Sequence, residues 1–363
     1  MNPEFWCRRK VLLTGHTGFK GSWLSLWLQS LGAEVIGYSL PPPTEPSLYV
    51  LAEVKKGMES IRGDVLDLEH LRRVVRERGP EIVFHMAAQS LVRHSYLDPA
   101  GTYATNVLGT VHILEAVRDA AAVRAVVVVT SDKCYENRND RRAYRETDQL
   151  GGFDPYSSSK ACAEFVTAAF RESFFAGAKR EAMASVGSAR AGNVIGGGDW
   201  AADRLIPDVM RAVLEGRTLL IRNPHAVRPW QHVLDPLRGY LMLAEKLCED
   251  PQRFSGGWNF GPGESETLSV SGVLERLSEL WGPGISWRFD DRPHLHEAQH
   301  LKLDCTKAKT ELGWEPQWNL NSALEATVQW YKAQQFHQDV RSLTLEQIRS
   351  YQSALNQPVS ART

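Results

Sequence analysis

Short apolar runs alternate with amphipathic stretches through the first half of the chain. Val11–Thr14 reads as a strand and is followed by glycines at Gly15, Gly18 and Gly21. Trp23, Leu24, Trp27, Leu28 and Leu31 then recur at helical spacing, with Gly32 where a helix would stop. Glu34–Tyr38 reads as a second strand and Met58–Ile61 as a third, the latter running into Gly63-Asp64. Leu66–Arg78 is a polar-faced helix closed by Gly79-Pro80, leading to the strand Glu81–His85. Thr102–Asp119 is a long helix, and Ala125–Thr130 is the continuous β-branched run of a strand covered on both faces. A helix from Asp154 through Phe175, a sixth strand Ala184–Arg190 and a helix opened by Asp203–Pro207 continue the pattern. Strands alternating with helices predict an α/β fold built on a doubly wound parallel sheet. In such sheets ligands lie beyond the carboxyl ends of the strands.

The turn at Gly15–Gly21 stands at such an end. Strand, glycine turn and helix suit a dinucleotide pyrophosphate, because the backbone approaches closely and the helix start offers N–H groups. An acid usually ends the second strand and bonds the adenosine ribose; here Tyr38-Ser39-Leu40 runs straight into prolines. Asp64 is placed to meet the adenine, with a turn role equally open. Met86-Ala87-Ala88-Gln89 are small enough for a cofactor to lie across, while His85 reads as a packed core histidine. After the apolar run come Thr130-Ser131-Asp132-Lys133, and downstream Tyr156 and Lys160 share one helix face. A tyrosine near its ordinary pKa is a poor base, and a neighbouring ammonium favours its phenolate. Ser131 could hold the hydroxyl that loses its proton.

Charge and composition narrow the partners. The 42 basic and 43 acidic residues nearly cancel, so no broad field draws nucleic acid or an anionic membrane. No apolar run is long enough to span a bilayer and no signal peptide is visible, which predicts a cytoplasmic protein. Cys7, Cys134, Cys162, Cys248 and Cys305 are scattered without CxxC spacing, as expected of reduced, packing cysteines. Asp290, Asp291, His294, His296, Glu297 and His300 cluster in sequence but match no common site, so no metal is expected. Pro41–Pro46 and the polar tail after Phe336 read as loop-like, and Met1–Phe5 were set aside as residues a cloning step could add.

The glycine turn, Ser131, Tyr156 and Lys160 stand in the order of the extended short-chain dehydrogenases/reductases, which the chain resembles. Thr14–Trp23, Ser131–Tyr135, Gly198-Asp199-Trp200 and Arg228–Val233 make it most similar to the nucleotide-sugar 4,6-dehydratases, in the branch that takes CDP-glucose. The resemblance implies a Rossmann-type NAD-binding domain over 8–190 and a smaller mixed α/β substrate domain over 191–336, with a tail over 337–363. It implies that NAD is held by Gly15, Thr17, Gly18, Phe19, Lys20, Gly21, Asp64, Val65, Ala87, Ala88, Gln89, Asn106, Thr130, Tyr156, Lys160, Arg190 and Asn193. It places Asn193, Asp203, Arg204, Leu205, Arg228, Asn259, Arg292 and His296 along the nucleotide-sugar, in keeping with the bidentate match of guanidinium to phosphate. Ser131, Asp132, Lys133, Tyr156 and Lys160 form the implied catalytic set. Tyr156 would take the C4 hydroxyl proton, water would leave across C5 and C6, and the hydride would return to C6. Relatives acting on dTDP-glucose carry an Asp-Glu pair where this chain has Asp132-Lys133. Lys133 can take the C5 proton only if neutral; as a cation it would instead steady the enolate. A homodimer or homotetramer through four helices, here Thr102–Asp119 and Ser157–Phe175, is also implied. The alternatives are a 4-epimerase or other dehydratase on the same scaffold, and a non-catalytic NAD-binding regulator.

Overall fold

The computed structural model describes residues 1–138, 142–176, 184–263, 267–290 and 301–355. Seven parallel strands form the central sheet. In chain order the first six are β1 (Lys10–Thr14), β2 (Glu34–Ser39), β3 (Glu59–Arg62), β4 (Ile82–His85), β5 (Ala125–Val129) and β6 (Ser185–Ala191). The spatial order runs from strand Gly256–Phe260 through β6, β5, β4, β1 and β2 to β3. Side chains alternate across the sheet with period two. Val11, Leu13, Phe84, Val127 and Ala189 join one core, which also holds Trp23 and Trp27 of the helix Phe19–Ser30. Leu12, Val83, Val126, Val128 and Val186 join the other. Both faces are covered, which is why these strands read as unbroken apolar runs.

The register sets where the site can be. Thr14 pairs with both Tyr38 and His85, His85 with Val128, and Val129 with Ala189. The chain therefore leaves β1, β4, β5 and β6 along one common edge. The second half returns to this sheet: helix Leu234–Glu249 packs on one face, and Gly256–Phe260 pairs with β6.

Three elements differ from the sequence pattern. The helix expected over Thr102–Asp119 is three pieces: Pro99–Tyr103, a wide π-turn Ala104–Leu108, and Gly109–Arg118. In the wide turn the Gly109 N–H reaches back to the Ala104 carbonyl, and Asn106 is buried toward the sheet edge. The tail read as loop-like contains the helix Val340–Leu355. Its buried Val340, Thr344, Ile348 and Tyr351 fall on one helical stripe. Tyr351 packs edge-on against Trp27, and Thr344 accepts from the Trp330 indole at 2.9 Å. Met1–Phe5, read as a possible cloning addition, join the fold: the Asn2 N–H donates to Glu245 at 3.0 Å, and the short helix Pro3–Trp6 ends in the fully buried Trp6, whose indole donates to Glu245 at 2.7 Å.

Candidate active site

The glycine turn closes on itself. Gly15 has φ 76°, where an L side chain is strained, and a Cβ there would stand 2.8 Å from the Ala87 nitrogen. A Cβ on Gly21 would stand 2.2 Å from the Gly15 carbonyl oxygen. The helix Phe19–Ser30 starts at Gly18 without a side-chain cap, leaving its first-turn N–H groups to an anion. Thr17 Oγ1 donates to the Leu40 carbonyl at 3.0 Å and meets Ser39 Oγ at 2.8 Å. His16 is buried above Gly37, with Nε2 2.8 Å from Ser60 Oγ, and burial pushes its pKa down to about 4. Asp64 caps the turn that follows it, accepting from the Leu66 N–H at 2.9 Å, while Val65 is buried.

Across the sheet edge, Thr14 Oγ1 accepts from the N–H groups of Met86 and Ala87, so Ala87, Ala88 and Gln89 run over the end of β1. His85 lies in the core as expected, 2.9 Å from Thr14 Oγ1 and pushed down to about 3 by burial. Asn106 binds both sides of Gln89, accepting from its N–H at 2.8 Å and donating to its carbonyl at 2.9 Å. The same amide donates to Ser159 on the Tyr156 helix at 2.9 Å.

At the end of β5 the chain makes a single 3-10 turn, Asp132–Cys134, capped by Ser131. Ser131 Oγ donates to Asp132 Oδ1 at 3.0 Å. Asp132 is 3% exposed, and burial raises its pKa against the pull of Lys133, Ser131, Lys20 and Arg228. Burial thus favours the protonated form, the form that can give up a proton. The facing helix Pro155–Phe174 is capped by Asp154 and carries Tyr156 and Lys160, both buried. Burial pushes Tyr156 up to about 12, opposed by a hydrogen bond with Ser131 and by the charge of Arg204. Burial draws Lys160 down to about 8, opposed first by Glu164. Lys20 lies 6.0 Å from the Tyr240 ring centre and is drawn down to about 7, mainly by burial. The sequence marked it as a cofactor contact; the structure also sets its charge near that of Asp132.

Arg204 pairs with Asp199 at 2.9 Å and donates to Ser90 at 3.0 Å, just ahead of the helix Leu205–Leu214. Asp203, at φ 60°, receives Arg93 at 2.9 Å and Arg222 at 3.2 Å. Arg228 sits in the strand Val227–Pro229 opposite Leu268, and its charge reaches Asp132. Asn193 lies just past β6, its carbonyl accepting from Gln231 at 3.2 Å.

Two expected ligand contacts are placed otherwise. Arg190 spends its guanidinium on Glu164 at 2.7 Å, the Tyr135 hydroxyl at 2.7 Å and the Glu146 carbonyl at 3.2 Å. Asn259, fully buried, accepts from Tyr135 at 2.7 Å and donates to the carbonyls of Tyr144 and Asp304 at 2.9 and 3.1 Å. The two are register partners on adjacent strands and brace the site from behind. Arg292 and His296, with the rest of the acidic and histidine cluster from Asp291 to His300, lie outside the described residues. The sequence reading missed Glu164 and Gly192, which sit against Lys160 and Asp132 respectively. Glu164 had a signal, one helical turn beyond Lys160.

One edge of the sheet thus presents an anion cradle, a buried phenol and a buried amine on one helix face, and a buried acid. The uncapped helix start and the glycines a Cβ would fill fit a dinucleotide. The pair can take a proton from a hydroxyl, and the acid can protonate a departing one.

Residues 12–327 match the family model described as GDP-mannose 4,6 dehydratase. A CDP-glucose 4,6-dehydratase of Salmonella typhimurium is 51% identical over 98% of this chain and 99% of its own. Among solved structures, dTDP-glucose 4,6-dehydratase from Bacillus anthracis in complex with NAD is 25% identical with a TM-score of 0.74, over 91% of this chain and 98% of that one. UDP-glucose 4-epimerase from Thermotoga maritima, at 23% identity and TM-score 0.76 over 89% and 99% of the two chains, shares the fold.

Proposed function

The chain belongs to the GDP-mannose 4,6-dehydratase family, and on that premise we propose that it is an NAD-dependent lyase converting CDP-glucose to CDP-4-keto-6-deoxyglucose and water. The observation that carries this reading is the buried Asp132, its pKa raised by burial, on the turn that faces the helix of Tyr156 and Lys160. An epimerase needs Ser131, Tyr156 and Lys160 and has no use for the acid. The 51% identity to a CDP-glucose enzyme supports the choice of nucleotide.

A hexose has no acidic C–H bond at C5 until C4 is a ketone, so oxidation has to come first. Ser131 holds the C4 hydroxyl and Tyr156 takes its proton; the Lys160 ammonium favours the phenolate. The glycine turn and the helix start would hold NAD, which would supply the hydride acceptor for C4 and the hydride donor for C6. Asp132 protonates the C6 hydroxyl as it departs, and Lys133, next on the same turn, takes the C5 proton in its neutral amine form. Asn106 and Gln89 hold the Tyr156 helix to the cofactor edge. Arg204 and Arg228 face the substrate's diphosphate, with Asn193, Asp203 and Leu205 beside them. Residues 8–190 form the cofactor part and 191–336 mainly the substrate part, with the sheet shared between them. The product serves deoxysugar synthesis for surface polysaccharide in the cytoplasm. Leu97, Tyr103, Leu108 and Phe165 are exposed apolar residues on or beside the helices expected to pair, which supports a dimer through them. No helix among the described residues is long and apolar enough to cross a membrane.

The test is a panel of CDP-, dTDP-, UDP- and GDP-hexoses, with and without added NAD⁺, read for 4-keto sugar. CDP-glucose should be turned over fastest; turnover of another nucleotide alone would overturn the assignment. For Lys133, Lys133→Met should stop exchange of the C5 hydrogen with deuterated solvent. Exchange and turnover at the parent rate would remove it from the mechanism.

A further inference from the structure

Glu164 follows Lys160 by one helical turn and Tyr156 by two, so the three share a stripe of the helix. Its carboxylate gathers the strands that carry the site. One oxygen accepts from Thr130 Oγ1 at the end of β5. The other accepts from Ser188 Oγ and the Arg190 guanidinium of β6, each at 2.7 Å. Burial alone would raise its pKa, but Arg190 and the two hydroxyls outweigh burial and hold it below the usual range. Glu164 is therefore a permanent negative charge in a dry interior, 3% exposed. Replacing a buried ion pair with apolar residues usually costs little stability, so a role beyond folding accounts better for its place.

That role follows from what faces Lys160. Two groups oppose the burial of its ammonium, Glu164 first and Cys134 second. The Cys134 thiol is itself pushed well above its ordinary value by burial and carries no charge at neutral pH. His85 on β4 is neutral, and Lys20, Arg204 and Arg190 are positive or partly so. Asp132 acts on Lys20 and is not among the groups that act on Lys160. Among the described residues Glu164, itself paired with Arg190, is thus the anion that most favours the Lys160 ammonium.

We propose that Glu164 is a positioning residue for the Tyr156–Lys160 pair, keeping the Lys160 ammonium charged and fixing its helix against the strands that end in Ser131 and Gly192. Arg190 holds the carboxylate in place, and Tyr135 and Asn259 hold Arg190. The inference rests on the reading of Tyr156 and Lys160 as the pair that serves C4 oxidation.

The experiment is the pH profile of kcat on CDP-glucose at saturating NAD⁺, with thermal stability measured alongside. Loss of the Lys160 charge sets the alkaline limb. Glu164→Gln should draw that limb to lower pH by about one unit, an approximately tenfold loss of rate on the alkaline side. Ser188→Ala, which removes a hydrogen bond and no charge, should lower stability and leave the limb where it is. Glu164→Asp should restore most of the shift. Where Glu164→Gln alone is insoluble, Glu164→Gln with Arg190→Met removes both buried charges and should move the limb the same way. A folded variant without Glu164 whose limb matches the parent overturns the proposal, as does a shift equally large in Ser188→Ala. A parent inactive on every nucleotide-hexose overturns the function itself, a distinguishable result.

Discussion

Gly192 leaves β6 against Asp132, the acid proposed for the elimination step. A Cβ there would stand 2.2 Å from Asp132 Oδ2 and 2.8 Å from its Cγ. Carbon and oxygen rest no closer than about 3.3 Å, so in Gly192→Ala the carboxyl must retreat by roughly 1 Å. It has little room. Asp132 is buried, its other oxygen takes the Ser131 hydrogen bond, and its backbone is fixed in the capped turn. A catalytic group displaced by about 1 Å costs on the order of a hundredfold in rate. That corresponds to about 2.7 kcal/mol on the barrier. The loss should fall on one step only, because the proposed C4 oxidation uses Tyr156, Lys160 and Ser131. Mixed rapidly with NAD⁺ and CDP-glucose, Gly192→Ala should show reduced-nicotinamide absorbance rising near the parent rate and then persisting. The 4-ketose with its C6 hydroxyl intact should be recoverable by quenching. Asp132→Asn should behave alike. Parent-rate turnover by Gly192→Ala, or an equal loss of oxidation and elimination, would refute the reasoning.

Without an acid after Tyr38 the adenosine ribose lacks its usual partner, so the purified protein should lose NAD and gain activity on its addition; protein that purifies saturated and gains nothing contradicts this. Asp235 is fully buried and pushed up to about 6, chiefly by burial, while accepting from Gln317 and Tyr351. Its folded value exceeds the unfolded one, so its contribution is full below about pH 4 and lost as pH rises through about 6, up to about 3 kcal/mol. Asp235→Asn should therefore melt above the parent at about pH 8 and with it at about pH 4; an equal difference at both would contradict the assignment. Leu108→Asp with Phe165→Asp should convert a dimer to monomers in light scattering, and an unchanged mass would place the interface elsewhere.

The centre of the sheet was legible because its strands are covered on both faces and read as apolar runs, as Ala125–Val129 shows. The glycine turn and the Tyr156–Lys160 spacing were legible because their chemistry is local. What escaped depends on partners distant in sequence. The helix Val340–Leu355 looks polar because part of its buried stripe is Thr344 and Gln347, and only Trp330 and Ala326 reveal why these can be buried. Arg190 and Asn259 carry the right groups for a phosphate or a sugar. Their strand register instead sets them among Glu164, Tyr135 and Tyr144. The wide turn at Ala104–Leu108 has no composition signal, since one extra residue in a helical turn leaves the apolar pattern nearly intact.

The most direct test of the account is the fate of the hydrogen at C4. With CDP-glucose deuterated at C4 and only catalytic NAD⁺, the product should be CDP-4-keto-6-deoxyglucose carrying that deuterium at C6, seen by NMR. A CDP-hexose epimerised at C4 with its C6 hydroxyl intact, or a deoxy product whose C6 holds no deuterium, would contradict it.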